Sequence, residues 1–587
     1  MPWPDWLLWP KLLIMIANKA QEFTMSLPRF TRHAKRFSTL FIVSAVAIVL
    51  NACTTEIDSP EKAAENIKKL VTETVQPTYR ENQVRANIQL TKTNLLSMLP
   101  DLAEYPISLN ARDDVRTEAV EIFTSSEKAG QGRDGFYIEM AEAFNRQGKT
   151  ISNGKQAKIA IRKMASGLGA QFMQARRYMP DAYSPSSQLW ADLLNANGVP
   201  LETIAEVTAP NTAGIIVKKS KVDMIATDGK LDVAKLLTNV SSGSFAMGYT
   251  NPYQSSTGLN FLLTVLNSFA QGDESQMLSP DVASAFEAFQ TGVPFVAQNT
   301  IQMRDAAQGS GVLDALVMEH QTWVNVSGMN DYQFLPFGVR HDSPLYATPE
   351  ADPAEREVLK LFAEFIESQQ SVIDRFGFGK TSDYKDAYAL KDGSIIGQAQ
   401  KLWKLKKSGG RPVAAVFVAD VSGSMEGTRI KNLKLALAES SDLISSTNAI
   451  GLVTYSDKVN VDLFIRPFDV QQKALFNGAV GRLTTGGRTA TNDAVLVASE
   501  LLLEFGKQNP DHKKVIFLLS DGETNRGVDF ADIQTTLEWS GIPIHTIAYE
   551  LSSEHLRSLA SLAEGAYLES STGSASYRIG NLLNSEM

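Results

Sequence analysis

The sequence predicts an α/β fold distributed over more than one globular domain. The chain has 587 residues, which is more than a single domain usually contains. Between Val115 and about Gln370, apolar runs of β type alternate with stretches of helical periodicity, as in EAVEIFTSS followed by DGFYIEMAEAFN. After Pro412, four continuous apolar runs of strand length are separated by helical stretches. Such alternation is typical of a mainly parallel sheet that helices cover on both faces.

The composition excludes several classes of protein. The chain has 56 Lys and Arg residues against 65 Asp and Glu residues, a formal net charge of −9. An acidic body lacks the clustered basic residues that bind phosphates, so we expect no nucleic-acid partner. The single cysteine excludes a disulfide framework and a metal cluster held by thiolates.

Residues 1–52 have the order of a secretory signal, with a natural start at Met25. Four basic residues precede an apolar run that extends from Phe37 to Ala52. They are Arg29, Arg32, Lys35 and Arg36.

The segment LNAC, which ends at Cys53, resembles the lipobox of bacterial lipoproteins. That resemblance implies a lipidated Cys53 and an extracytoplasmic body tethered to a bacterial membrane through its lipid anchor. Thr54, where an inner-membrane retention signal typically has Asp, favours the outer membrane of a Gram-negative cell. An uncleaved membrane anchor is the alternative.

Changes of pattern along the chain predict the domain boundaries. Residues 54–112 are polar and helix-prone without a dense apolar pattern, and we expect a spacer there. Residues 113–375 form the first predicted domain. Residues 376–411 lose the alternation and end near Gly409 and Gly410, which indicates a linker. Residues 412–587 form the second predicted domain.

The apolar runs of the second domain place carboxylates at one edge of its sheet. The runs are PVAAVFVAD, AIGLVTYSD, KKVIFLLSD and IPIHTIAYE. Two of them end in Asp420 and Asp521. Ligands of parallel sheets bind outside the carboxyl ends of the strands, so we expect a functional site there.

Three short motifs at this edge resemble the metal-ion-dependent adhesion site of von Willebrand factor A domains, which have a Rossmann-like fold. The motifs are DVSGS from Asp420, GGRT ending at Thr489, and LSDG containing Asp521. The resemblance covers about residues 410–587. It implies that Ser422 and Ser424 bind the ion directly, that Asp420 binds it directly or through water, and that Thr489 and Asp521 complete the shell. It also implies a protein partner whose acidic residue supplies the last ligand.

The residue types fit this chemistry on their own. Carboxylate, hydroxyl and water are hard oxygen donors, which suit Mg²⁺ and, next to it, Mn²⁺. Each motif alone has an ordinary interpretation, because Asp and Ser often cap helices and Ser-Asp-Gly is a common turn. Thr484, Thr485 and Thr491 are alternatives to Thr489, which we prefer because Ala494 then lies five residues later at a helix start.

Residues 113–375 resemble type II bacterial extracellular solute-binding proteins, in which two α/β lobes close on a ligand. The segments that carry this resemblance are EIFTSSEKAG, QAKIAIRKMASG, YSPSSQLWADLL and GYTNPYQSSTGLNFLLTVL. The last of them predicts a helix that begins near Thr257, whose N-terminus can hold an anion or a carboxylate.

Hydroxyl-rich loops between the lobes supply the candidate ligand-binding residues. They are Thr124, Ser125, Ser126, Ser166, Ser186, Ser187, Ser256 and Thr257. The alternative is that these hydroxyls are ordinary caps. Tyr183, Trp190 and Tyr253 are either cleft or core residues, and Glu319 with His320 is interpreted as a structural pair.

The sequence predicts a binding protein and not an enzyme. It has no Gly-x-Ser-x-Gly elbow, no His-Glu-x-x-His helix and no phosphate loop of the Gly-x-x-x-x-Gly-Lys type. We therefore expect a cell-envelope lipoprotein that binds a protein partner through Mg²⁺ and a small ligand or peptide in its cleft. A receptor that delivers solute to an ABC transporter and an enzyme with an unrecognised site are the alternatives.

Overall fold

The computed structural model describes residues 57–87, 95–111, 115–297, 300, 302–304, 313–381, 383–407, 409–522, 524–563, 565–570 and 575–586. The chain divides into two compact units, Met1–Asp58 and Ser59–Met587, and every element below belongs to the second. The predicted signal peptide, the start at Met25 and the lipidated Cys53 lie outside the described residues. Within the described residues, we find no helix with the length and apolarity needed to cross a bilayer.

The described strands form three main sheets and one short hairpin. Those before residue 350 are β1 (Thr78–Tyr79), β2 (Ile107–Leu109), β3 (Thr117–Thr124), β4 (Gln156–Lys163), β5 (Ala182–Ser184), β6 (Glu202–Ala205), β7 (Thr212–Lys218), β8 (Ala226–Thr227), β9 (Lys230–Leu231), β10 (Met247–Thr250), β11 (Phe295–Ala297), β12 (Ala315–Glu319), β13 (Tyr332–Arg340) and β14 (Leu345–Ala347). Those after it are β15 (Val413–Asp420), β16 (Ala449–Tyr455), β17 (Val459–Pro467), β18 (Lys513–Ser520), β19 (Ile544–Tyr549) and β20 (Tyr567–Ser570).

The described α-helices alternate with these strands. Those before residue 410 are α1 (Pro60–Leu70), α2 (Ser126–Ala129), α3 (Phe136–Gln147), α4 (Ser166–Gln174), α5 (Leu189–Ala196), α6 (Val222–Ile225), α7 (Val233–Ser241), α8 (Ser256–Phe269), α9 (Pro280–Thr291), α10 (His320–Val324), α11 (Pro353–Glu367), α12 (Gln370–Arg375) and α13 (Ser394–Lys406). Those after it are α14 (Thr428–Ser440), α15 (Val470–Gly481), α16 (Thr491–Gln508), α17 (Phe530–Ser540), α18 (Glu554–Ser561) and α19 (Ala575–Glu586).

The first predicted domain is built on two sheets. One has the strand order β2-β4-β3-β5-β14-β6, and the other has the order β11-β10-β12-β7-β13. The chain passes from the first sheet to the second after β6, and it returns between β13 and β14. Two sheets joined by crossing segments make two lobes, and strands β3, β4 and β5 of the first lobe run parallel. The predicted two-lobed α/β class is confirmed.

The last domain has one sheet of order β1-β17-β16-β15-β18-β19-β20, in which only the β16–β17 pair is antiparallel. Every residue of the central strand β15 is buried. Its side chains alternate between two apolar layers, with Phe417 on one face of the sheet and Val416 and Val418 on the other. This arrangement explains the continuous apolar run in the sequence, because helices cover both faces.

Part of the expected spacer packs on the last domain. Ser59 caps α1, which packs on α16 and α17, and Ile67 is fully buried in the core of the last domain. Strand β1 then pairs in parallel with β17 and extends the sheet by one strand. The expectation of a free spacer over residues 54–112 is wrong for this part, because an amphipathic helix can bury its apolar stripe on a neighbouring domain even where it lacks a core of its own.

The expected linker, residues 376–411, also contains a packed element. Helix α13 lies against α5, which connects two strands of the first sheet, and against α8 and α9 of the second lobe. Its Trp403 is fully buried and donates a hydrogen bond from Nε1 to the Tyr249 hydroxyl at 2.6 Å. The helix therefore packs on elements of both lobes, and the connection to the last domain is confined to the few residues before Val413.

Candidate functional site

Three segments converge at the carboxyl edge of the last domain's sheet. Asp420 is the final residue of β15, and Asp521 directly follows β18. The two strands are parallel neighbours, with Ala419 opposite Leu519. The structure therefore brings the two predicted carboxylates to one edge, beside the loop that starts at Val421.

Asp420 is held rigidly at the base of this edge. It is fully buried, its Oδ1 accepts a hydrogen bond from the Ser422 amide at 2.8 Å, and its Oδ2 accepts one from the Ser520 hydroxyl at 2.6 Å. Burial raises the pKa of Asp420 above its ordinary value; hydrogen bonds from Ser520 and Ser422 oppose this rise, and the nearby Asp521 adds to it. A cation held by both carboxylates would remove that penalty.

Ser422 and Ser424 present their hydroxyls together. Their Oγ atoms lie 3.0 Å apart on a short 3₁₀ turn, Gly423–Met425, and Ser424 is exposed. The Gly423 amide donates to the carbonyl of Gly487 at 3.0 Å. This hydrogen bond joins the turn to the loop that carries Thr489.

Thr489 is fixed by its backbone. Its amide donates to Asn525 Oδ1 at 3.0 Å, and its carbonyl accepts from the Asn525 amide at 3.1 Å. The alternative Thr491 starts α16 and donates its hydroxyl to Tyr455 at 3.3 Å. The loop depends on Gly487, which has a φ of +85° and whose Cβ, if present, would lie 2.4 Å from Asp457 Oδ2.

Within the part of the chain that the structure describes, Asp521 has one carboxylate oxygen without a hydrogen-bond donor. It is 1% exposed, and its Oδ1 has no hydrogen-bond partner among the described residues. Its Oδ2 accepts from Arg429 Nη1 at 3.2 Å, and the same guanidinium contacts the Ser424 carbonyl at 3.1 Å and Glu550 at 2.8 Å. A buried carboxylate oxygen without a donor is costly, and a cation is the partner that would satisfy it.

The donors at this edge fit a hard divalent ion. They are two carboxylates and three hydroxyls, with no imidazole or thiolate among them. The described residues contain no group of three or more His, Cys, Asp and Glu side chains that could hold a metal ion. A donor set of this kind, in which hydroxyl oxygens outnumber carboxylates, suits Mg²⁺ better than Zn²⁺.

Sequence comparisons identify the last domain. The model of the von Willebrand factor type A domain family matches residues 415–577, so the chain contains such a domain. An uncharacterized protein of Synechocystis sp. is 24% identical over 164 residues, which are 27% of this chain and 38% of that protein. Inter-alpha-trypsin inhibitor heavy chain H3 of Mesocricetus auratus is 28% identical over 123 residues, which are 20% of this chain and 14% of that protein. The chain thus spans well under two thirds of the length of both relatives.

A structural comparison found proteins of a different kind. A periplasmic thiamin binding protein covers 51% of this chain and 99% of its own length, with 12% sequence identity and a TM-score of 0.37.

The first domain has a small cavity at the loops that were predicted to converge. Its volume is about 70 Å³, and four of the eight candidate residues line it. These are Ser126, Ser166, Ser186 and Ser256. Helix α8 begins at Ser256, one residue from the predicted start. The cavity thus has several helix starts and strand ends in its wall.

The other four candidates do not line this cavity. Thr124 donates its hydroxyl to the Ser184 carbonyl at 3.0 Å, and Ser125 lies 3.4 Å from the Ser186 hydroxyl. Ser187 accepts from the Leu189 amide at 3.4 Å, and Thr257 lies 2.8 Å from the Ser255 hydroxyl. All four are buried. Their hydroxyls hold the surrounding loops together, as the capping interpretation expects.

The aromatic candidates belong mainly to the walls. Tyr183 donates its hydroxyl to the Ser166 carbonyl at 2.6 Å, and Trp190 donates Nε1 to the Ser256 hydroxyl at 2.9 Å. Both side chains are 1% exposed. Their hydrogen bonds therefore hold Ser166 and Ser256, which line the cavity, in position.

The sequence missed the charged residues of the cavity. Glu127 and Glu319 line it, together with Gln254, Ser255 and Thr300. Burial raises the pKa of Glu127, and the Glu319 carboxylate adds to this rise. The interpretation of Glu319 and His320 as a pair is wrong, because Glu319 contacts His341 Nδ1 at 2.8 Å. His320 instead contacts the rings of Trp323 and Phe334.

Lys128 lies behind this cavity, fully buried. Its Nζ donates to the Ser184 carbonyl at 2.9 Å and to the Pro185 carbonyl at 3.1 Å. Burial lowers the pKa of Lys128 to about 7, and the two nearby glutamates oppose this change. The sequence does carry a signal for these residues, because Glu127 and Lys128 follow closely after the apolar strand β3. Charged side chains near the end of a buried strand are costly to bury, so their presence there indicates a specific role.

Proposed function

We propose that this protein is a non-enzymatic cell-envelope lipoprotein that binds a protein partner through a divalent cation. The observation that carries the proposal is the edge site itself, with two serine hydroxyls 3.0 Å apart beside a buried aspartate oxygen that has no donor. Asp420, Ser422, Ser424, Thr489 and Asp521 would hold the ion, Mg²⁺ or Mn²⁺. Bound there, the ion offers a Lewis-acidic position to a carboxylate of the partner.

The arrangement of charge supports an ion that also binds a partner's carboxylate, and not an ion that is enclosed entirely by ligands of this chain. Only two carboxylates face the ion, so a divalent cation keeps attraction for a further anionic ligand. Ser424 is exposed, so a partner can approach from that side. Arg429 already contacts Asp521 and Glu550, and it is placed to orient an incoming carboxylate.

Calorimetric titration of the full chain with Mg²⁺ tests the site directly. We expect one Mg²⁺ to bind, and Ser424→Ala to weaken binding, because that hydroxyl is a proposed ligand. Ser445→Ala is the matched control, since Ser445 is exposed and the described hydrogen bonds of its hydroxyl are with Thr447, far from the proposed ligands in the sequence. Equal Mg²⁺ affinity in wild type and Ser424→Ala would contradict the proposal.

The envelope location is proposed from the signal and the lipobox-like segment. Lipidation of Cys53 would tether the body through several acyl chains. Membrane fractionation of the wild type and of Cys53→Ser tests this, because loss of the thiol removes the attachment point. Retention of Cys53→Ser in the membrane fraction would favour the uncleaved anchor.

A second candidate function is ligand binding between the lobes. The observation that favours it is the cavity lined by hydroxyls of both lobes and by Glu127 and Glu319. Native mass spectrometry of the full chain tests whether a small molecule or peptide co-purifies. A co-purifying solute together with a permease partner would favour a transport receptor, and turnover of the solute would favour an enzyme.

A further inference from the structure

The cavity between the lobes is adjacent to a second one that the last domain helps to form. The second cavity has a volume of about 180 Å³. Ser126, Ala165 and Gln254 line both cavities, so the two share a wall of three residues. On the far side, the second cavity is lined by Tyr577, Arg578 and Asn581 of helix α19. Residues of both lobes and of the last domain therefore line two adjacent cavities.

Hydrogen bonds hold this junction in place. Gln254 Nε2 donates to the Tyr577 hydroxyl at 3.1 Å and to Asn581 Oδ1 at 3.2 Å. The Tyr577 hydroxyl in turn donates to Gln171 Oε1 at 2.6 Å, and both of these side chains are buried. Gln254 thus faces the cleft and contacts α19 at the same time. A molecule that contacts Gln254 is within reach of groups from both domains.

The two cavities have opposite charge. Among the described residues, those that line the first cavity include Glu127 and Glu319 and no basic side chain. Those that line the second include Lys163 and Arg578 and no acidic one. Lys128 does not neutralise the first cavity by direct pairing, because its Nζ donates to Ser184 and Pro185. A polar gradient of this kind suits a molecule with charges of opposite sign at its two ends.

We infer that the cleft binds a small zwitterion, with an ammonium group toward Glu127 and Glu319 and a carboxylate toward Lys163 and Arg578. This inference rests on the ligand-binding function proposed above for the cleft. Beyond that function, we infer that the ligand is zwitterionic and that the last domain contributes to binding it through α19. The class includes ω-amino acids and short peptides with free ends. Arginine and lysine are suited to a carboxylate through charge-assisted hydrogen bonds.

Calorimetric titration with a series of ω-amino acids, from 4-aminobutyrate to 8-aminooctanoate, tests the inference on the full chain. Hexanoate and hexylamine are the matched probes that carry only one charge. We expect one chain length to bind best, and both single-charge probes to bind at least about tenfold more weakly, because each loses a charge-assisted contact.

Two variants test the contribution of the second cavity. Lys163→Gln removes an exposed charge, and Arg578→Gln removes the charge supplied by the last domain. Each should weaken the best ω-amino acid at least about tenfold and leave hexylamine unchanged. Lys230→Gln is the matched control, because Lys230 is exposed on β9 and lines neither cavity. Hydrogen exchange in residues 575–586 should slow when the ω-amino acid binds.

The outcomes separate this inference from the function on which it rests. Binding that both Gln variants retain and Glu127→Gln loses would overturn the composite cavity and leave the cleft function standing. A co-purified molecule without both charges, seen by native mass spectrometry, would do the same. No bound probe and no co-purified molecule would overturn both.

Discussion

The proposed metal site at the carboxyl edge of the last domain's sheet, called the metal edge below, and the proposed ligand cleft between the lobes differ in how far along the chain their residues come from. At the metal edge, three of the five proposed ligands, Asp420, Ser422 and Ser424, lie within five consecutive positions, and their mutual geometry follows from one strand end and one turn. Thr489 and Asp521 come from two later segments of the same domain. The cleft collects residues from the ends of β3, β4, β5, β10 and β12. This difference means that residues close together in the sequence can be assigned to one site from the sequence alone. A site made of distant segments can be assigned only after the packing of whole lobes is known.

The largest effect is expected from Asp420→Ala. We expect Mg²⁺ affinity to fall by more than the roughly 10- to 100-fold loss typical of groups that only orient a metal ligand. Thermal stability in chelator should change much less than Mg²⁺ affinity, because relief of the desolvation penalty that raises the pKa of Asp420 offsets the loss of the hydrogen bonds from Ser422 and Ser520. Calorimetry and melting curves with and without Mg²⁺ measure both quantities.

Asp462→Ala is the control for this prediction. Burial also raises the pKa of Asp462, which accepts a hydrogen bond from Thr454 at 2.6 Å in the same sheet. Mg²⁺ should raise the melting temperature of the Asp462→Ala variant as it does that of the wild type. If Asp420→Ala and Asp462→Ala lost the Mg²⁺-dependent rise in melting temperature equally, Mg²⁺ binding would depend on the whole sheet and not on the residues of the metal edge.

A smaller effect is expected from Lys128, which has no counterpart at the metal edge. Its pKa is lowered from 10.5 to about 7 by burial, so the folded state binds fewer protons than the unfolded state between these values. The free energy of unfolding should therefore rise with pH from about 7 toward 10, with a slope of at most about 1.4 kcal/mol per pH unit from this group. Denaturant unfolding at several pH values measures the slope.

Lys128→Met should reduce this pH slope while leaving Mg²⁺ binding unchanged. Methionine keeps the unbranched stem and cannot take up a proton. A slope that persists in this variant would show that another group causes it.

The smallest effect is expected from Trp190→Phe. The change removes the hydrogen bond from Nε1 to the Ser256 hydroxyl and keeps most of the buried ring. We expect a loss of about 1 kcal/mol in the free energy of unfolding, together with weaker ligand binding in the cleft. Chemical denaturation and the ω-amino acid titration measure these effects.

Mg²⁺ binding serves as the internal control for Trp190→Phe and should not change. A matched loss of Mg²⁺ affinity would show that the cleft and the metal edge depend on each other, contrary to the comparison.

Particular residues show where prediction from sequence succeeded and where it failed. The helix predicted near Thr257 begins at Ser256, and Asp420 and Asp521 lie at the carboxyl edge, because periodicity and strand ends are local properties. Helix α1 was expected in a spacer, and α13 in a linker. Both are packed, with Ile67 and Trp403 fully buried, because burial of a single apolar stripe depends on a surface that other segments provide.

The sequence by itself determined the α/β class, the two-domain order and the strand-end placement of two carboxylates, since each depends on neighbours only a few residues away. Only the tertiary structure decided that Glu319 and Glu127 line the same cavity, that Glu319 contacts His341, and that α19 of the last domain lines a cavity beside Gln254. Those contacts join residues that are separated by many tens of positions or more, and they arise when apolar faces pack and fix the relative position of the polar loops that they carry.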